Sequence, residues 1–175
     1  VGNIGEGKLY RSASPINNEH CRASYANALI EEAGVATVLN LADSEEDIAE
    51  YCAAEDFNSE YYRTLYESEN VIVLNLNVNF YSDEFNTTLM EGLRFLAQND
   101  PPYSIHCTEG KDRAGFTALL LEALMGAELQ EIIDDYMLSF YNYYGITKET
   151  EPERYDVVLN TSLLNDFDVC TVHST

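Results

Sequence analysis

The chain is poor in positive charge. Lys and Arg total 9 against 31 Asp and Glu in 175 residues, a formal net charge of −22. Such a surface repels nucleic acid and anionic membranes, so neither is expected as a partner. No apolar run is long enough to cross a bilayer, and no membrane span is expected. The cysteines Cys21, Cys52, Cys107 and Cys170 form no C-x-x-C pair, which argues against a zinc site; no metal and no cofactor is expected. With Cys107 set aside as a free thiol, an odd number remains, which argues against a full disulfide framework. Internal repeats, low-complexity tracts and a second-domain boundary are absent too. The expectation is one domain over residues 1–175, its core supplied by 46% hydrophobic residues.

What is present alternates between strand and helix patterns. After a glycine-rich lead-in, 1–7, residues 9–15 read as a short extended segment. A helix is expected over 18–33, capped by Asn17 or Asn18, with Ala26, Leu29, Ile30 and Ala33 inward and Gly34 as its stop. Val35–Leu41 and Val71–Val78 read as buried strands. Between them lie an acidic helix opened by a Ser44–Asp47 capping box and a short helix over 59–68. Helix 84–98 should bury Phe85, Leu89, Leu93, Leu96 and Ala97. Pro101-Pro102 breaks the chain before a short strand, Tyr103-Ser104-Ile105. Helices are expected from Phe116 to Met125, from Leu129 to Tyr144 and over 151–160. The stripe Ile132, Ile133, Tyr136, Met137, Phe140, Tyr144 reads as core. This alternation implies an α/β fold: a central, mostly parallel sheet flanked by helices on both faces, with a helical C-terminal third. Ligands of such sheets bind at the carboxyl ends of the strands.

The stretch His106-Cys107-Thr108-Glu109-Gly110-Lys111-Asp112-Arg113-Ala114-Gly115 stands at such an end. It joins a strand to a helix through a tight glycine-containing loop, with five residues between Cys107 and Arg113. A loop of this kind can turn its N–H groups inward at a helix N-terminus and hold an anion, phosphate above all. The helix dipole, those N–H groups, Lys111 and Arg113 all favour a thiolate at Cys107. Glu109 works against it.

The run resembles the cysteine-dependent protein tyrosine phosphatase superfamily, whose signature is His-Cys, five residues, Arg. The fuller HCTEGKDRAG is similar to a bacterial tyrosine/serine, dual-specificity-like branch, and Tyr10-Arg11-Ser12 resembles a segment near the start of that branch. The resemblance implies hydrolysis of phosphate monoesters: phosphotyrosine, phosphoserine/threonine or phosphoinositide. Cys107 would attack phosphorus and form a phosphocysteine that water then hydrolyses. Arg113 would grip two oxygens in a planar fork. Residues Thr108, Glu109, Gly110, Lys111, Asp112 and Arg113 would bind the phosphate. His106 would shape the loop from behind. Arg11 would orient the loop or substrate, or else serve a structural ion pair.

Three aspartates compete for the role of proton donor. Asp112 is favoured, since the phosphate loop itself holds it, and the Lys-Asp-Arg form resembles enzymes in which this aspartate is proposed as the acid. Asp83, after the Val71–Val78 strand, and Asp43, after the Val35–Leu41 strand, are the alternatives. Asp83 would need a lid, and Phe80-Tyr81-Ser82 offers neither a glycine hinge nor a Trp-Pro pair. Ala114 stands where many members of the superfamily carry Ser or Thr, whose hydroxyl assists the second step. It keeps a second reading open, a phosphate-binding pseudophosphatase; a rhodanese-like sulfurtransferase is the third. The expected partner is a phosphorylated protein or a small phosphate ester. The oligomeric state is left open by the sequence. The chain begins at Val1 rather than Met, so cytoplasmic and exported locations both stand.

Overall fold

The structure, a computed structural model, describes residues 1–161. They form two compact units, one over Glu6–Ala114 and one made of Val1–Gly5 and the chain from Gly115 onward.

The first unit is built on four strands, β1 (Leu9–Ser12), β2 (Thr37–Asn40), β3 (Val71–Val73) and β4 (Tyr103–His106). They lie in the order β1-β4-β2-β3, and every pair is parallel. Registers Ser12↔His106, Asn40↔His106 and Asn40↔Val73 bring the four carboxyl ends to one edge. Four helices connect the strands: α1 (Ala23–Glu32), α2 (Glu45–Ala53), α3 (Glu60–Glu67) and α4 (Asp83–Gln98). Successive strand residues face opposite ways, and β2 shows the consequence. Val38 packs with Ile30, Ile48, Tyr62 and Leu65 from α1, α2 and α3. Leu39 faces α4, where a Cβ on Gly92 would come within 2.6 Å of its Cδ1 and 2.7 Å of Leu74 Cδ1. Glycine lets that helix approach the sheet. Helices thus cover both faces of an all-parallel sheet, the arrangement expected of this alternation.

Several boundaries differ from expectation. Helix α1 starts five residues late, at Ala23, with no side-chain cap. Asn17 and Asn18 are occupied elsewhere: Asn17 Oδ1 accepts the Glu19 N–H (2.8 Å), and Asn18 Nδ2 donates to Asp56 (2.8 Å). Leu29 is 64% exposed; its place on the inner face is taken by Asn27, whose Oδ1 accepts the Tyr62 N–H at 2.9 Å. On α4, Ala97 is exposed and Gly92 is buried in the contact with β2. Strand β3 stops at Val73 because Asn75 takes a left-handed φ of 45° and turns the chain. The Ser44–Asp47 capping box is present as read, with Ser44 N–H donating to Asp47 Oδ2 at 2.8 Å.

The second unit holds most of α5 (Arg113–Leu124), together with α6 (Leu129–Tyr144) and α7 (Pro152–Thr161). Leu119, Ala123, Ala127, Ile132, Tyr136 and Met137 form its core. Burying Leu119, Ile132 and Met137 contributes about 1.5–3 kcal/mol each. Tyr144, at the end of the stripe, is instead 44% exposed, with the Arg154 guanidinium 5.5 Å from its ring centroid. Helix α6 ends at Gly145, in the left-handed conformation that a glycine C-cap accepts without strain.

Candidate active site

The loop from Cys107 to Asp112 leaves the carboxyl end of β4 and enters α5 at Arg113. Its turn requires glycine. Gly110 has φ +76°, and a Cβ there would lie 2.4 Å from the Ser12 carbonyl oxygen. The segment around β1 therefore forms the loop's outer wall. It also orients the loop's peptides. Ser14 N–H donates to the Thr108 carbonyl at 3.1 Å, and Arg11 Nη1 donates to the Gly110 carbonyl at 3.2 Å. In a trans peptide the N–H points opposite to the C=O. The N–H groups of Glu109 and Lys111 are consequently aimed away from that wall. Arg11 thus reaches the loop backbone at the Gly110 carbonyl.

Cys107 is 3% exposed. Arg113 Nη1 donates to the Leu76 carbonyl at 2.8 Å and Nη2 to Thr108 Oγ1 at 3.2 Å. The loop after β3 and the loop's own threonine thus fix the plane of the guanidinium. Lys111 Nζ lies 3.5 Å from Glu109 and 3.3 Å from Asp112. Glu109 also stands 3.9 Å from His20 Nε2. The Glu109 carboxylate, expected to oppose a thiolate, is therefore countered by Lys111.

His106 is fully buried. Its Nδ1 is 3.4 Å from the Cys107 carbonyl, and the Tyr62 ring meets it edge-on at 5.6 Å. Nε2 has no hydrogen-bond partner among the described residues. Burial, with a smaller contribution from the Arg113 charge, holds its pKa down to about 3, so the ring is neutral at physiological pH. His106 therefore sits as a neutral ring between the start of the loop and Tyr62 of α3.

The three candidate acids occupy different settings. The Asp112 side chain is half exposed beside Lys111. Asp83 is exposed and opens α4, after Ser82, which caps the helix through Phe85 N–H. Asp43 is only 4% exposed, accepts from Asn40 Nδ2 at 3.0 Å, and lies 3.5 Å from the Tyr51 hydroxyl. Burial pushes its carboxyl above the usual carboxylate range, while Asn40, Tyr51 and the Arg113 charge pull the other way. Asn40 also bonds the Tyr62 hydroxyl at 2.9 Å. Sequence reasoning missed this cluster of Asn40, Tyr51 and Tyr62 around Asp43. Its one legible signal was an asparagine closing an otherwise apolar strand.

Against known proteins, a model of the tyrosine phosphatase family matches residues 2–167. The chain belongs to that family. A tyrosine-protein phosphatase of Nostoc commune is 41% identical over 63 residues, 36% of this chain and 21% of that protein. The chain thus spans about a fifth of that relative's length. Two solved structures share the fold. P. aeruginosa TpbA has a TM-score of 0.53 at 17% identity, covering 97% of this chain and 86% of that one. The core catalytic domain of the PP-IP phosphatase SIW14 from S. cerevisiae, in complex with citrate, has a TM-score of 0.52 at 17% identity. It covers 99% of this chain and 90% of that one.

Proposed function

We propose that this chain hydrolyses phosphate monoesters, on a phosphorylated protein or a small phosphate ester, through a phosphocysteine at Cys107, with 1–175 acting as one phosphatase-like domain. The observation that carries the reading is the loop itself. A buried cysteine follows β4, α5 begins at Arg113, and the Arg11 and Ser14 bonds turn the Glu109 and Lys111 N–H groups away from the outer wall. The Cys107 sulfur attacks phosphorus and the ester oxygen leaves with a proton; water then attacks the phosphocysteine, releasing phosphate and the thiolate. Arg113 binds two phosphoryl oxygens, and the loop amides stabilise the charge that develops on the transferring group. The family match over nearly the whole chain supports the same chemistry.

Asp112 is the proposed proton donor because the loop that holds the phosphate also carries it. Asp43 is the second reading, favoured by its burial and by its pull toward the protonated form. A phosphate-binding pseudophosphatase is kept by one observation: Ala114, fully buried in the first turn of α5, offers no hydroxyl for the second step. Para-nitrophenyl phosphate and thiosulfate separate the readings. Hydrolysis of the ester, insensitive to EDTA and lost in Cys107→Ser with phosphate binding retained, is the expected result. Phosphate binding without turnover would establish the pseudophosphatase, and sulfur transfer from thiosulfate would establish the sulfurtransferase.

A further inference from the structure

A cavity of about 470 Å³ opens between the segment 16–24 and the segment 54–59. It lies in the same unit as Cys107 and is joined to the loop by short links. Ser14, whose N–H holds the Thr108 carbonyl at 3.1 Å, accepts the Asn17 N–H on its hydroxyl at 2.9 Å. His20, next to the cavity wall, stands 3.9 Å from Glu109. Ser14 and Asn17 are three residues apart, so the cavity wall begins within roughly 10 Å of the loop backbone. An extended substrate chain covers that span in about three residues.

The lining has one electrostatic sign. Glu19 and Asp56 are exposed carboxylates at its wall, joined there by the polar Asn17 and Asn18 and the aromatic Tyr51 and Phe57. Asn18 Nδ2 donates to Asp56 at 2.8 Å and ties one wall to the other. Asn17 Nδ2 donates to the Tyr51 hydroxyl at 3.0 Å, and that hydroxyl reaches Asp43. Among the described residues, no lysine or arginine lines the cavity. Arg63, over the Phe57 ring at 5.1 Å, is paired with Glu60 and Glu67 and leaves the lining its negative charge. A cavity with two carboxylates, amide oxygens and aromatic walls suits an ammonium or guanidinium group on a flexible stem. The net charge of −22 adds long-range attraction for a basic chain.

We propose that this cavity is a subsite for a lysine or arginine side chain flanking the phosphorylated residue of a protein substrate. The inference rests on the phosphatase reading and narrows its substrate class to phosphopeptides with a basic neighbour. The loop takes the phosphate, and the cavity takes the positive charge a few residues away.

The test uses phosphotyrosine peptides in which a single lysine is scanned through the positions on either side of the phosphotyrosine, each against its alanine counterpart. The reading is the lysine-to-alanine ratio of kcat/KM, compared between the parent and the Glu19→Gln/Asp56→Asn double variant. One position should show a ratio of about three to ten, as expected for two partly exposed ion pairs, falling toward one in the variant and in high salt. Fluorescence anisotropy with the same peptides on Cys107→Ser reads the binding ratio independently of turnover. Failure to hydrolyse any ester overturns the phosphatase reading, and the anisotropy ratio then decides the subsite alone. A ratio near one at every position, or a preference that survives in the double variant, overturns the subsite.

Discussion

The two units bury different things. Residues 6–114 enclose Ser14, Thr37, Asn40, Asp43, Ser104 and His106 among their apolar core, several of them at the carboxyl edge of the sheet. From Gly115 to the end of the described chain, Thr117 and Glu122 are the buried polar residues, and the core is Leu, Ile, Ala, Met and Tyr. A buried polar group costs stability unless it is hydrogen-bonded, so its recurrence at one edge calls for a reason. In the first unit that reason is positional: Ser14 N–H holds the loop backbone at the Thr108 carbonyl, and Asn40 Nδ2 holds Asp43. The second unit carries no residue of the Cys107–Arg113 loop, and its core is built from Leu119, Ala123, Ala127, Ile132, Tyr136 and Met137.

The comparison can be pressed at four points. The largest effect belongs to the proton donor. Asp112→Asn should lower turnover of an alkyl phosphate, a poor leaving group, on the order of 10²–10⁴-fold and remove the basic limb of the pH–rate profile. If Asp112→Asn keeps that limb and Asp43→Asn loses it, the buried cluster supplies the acid and the loop aspartate does not.

Next is the wall of the loop. Gly110→Ala must move either the loop or the Ser12 carbonyl. Displacement of about 1 Å at a reacting centre costs roughly 100-fold in rate, and the strained φ costs about 1–3 kcal/mol of stability. Turnover within a few-fold of the parent would show that the loop tolerates the shift.

His106 gives a smaller effect with a defined sign. Its folded pKa, about 3, lies below the ordinary 6.5. Its contribution is complete above pH 6.5 and is lost as pH falls, because the unfolded chain takes up a proton that the folded one refuses. That loss runs at about 1.4 kcal/mol per pH unit, about 2 kcal/mol between pH 6.5 and 5. Urea unfolding of His106→Gln should show a shallower fall over this range; an unchanged slope would mean that His106 does not govern it.

The smallest effect marks the other unit. Ile132, fully buried on α6, should cost about 0.5–1.5 kcal/mol as Ile132→Val. Its kcat/KM should stay within about twofold of the parent. A large loss of turnover would show that the helical core, too, bears on the loop.

Much of this is legible in the sequence. Helix α6 runs from Leu129 to Tyr144 as its periodicity indicated, because sixteen residues of helical pattern closed by Gly145 leave little choice. The Ser44–Asp47 box is a contact between residues three apart, and local chemistry suffices for it. The strand–loop–helix around Cys107 is legible because a short motif, His106-Cys107 to Arg113, carries it, and Gly110 is the residue that its turn requires.

The periodicities, the caps, the α/β alternation and the motif of the loop are local, and short stretches of residues carry them. The contacts that assemble the site are long-range. Arg113 meets the Leu76 carbonyl 37 residues away, and Arg11 meets the Gly110 carbonyl 99 residues away. Asn40 of β2 is joined to Tyr62 of α3, and Asp43 disappears from solvent beside them. Whether an aspartate after a strand ends up exposed like Asp83 or buried like Asp43 depends on which element packs over it. That packing is set by the order of the strands, and strand order is written in no short stretch of residues.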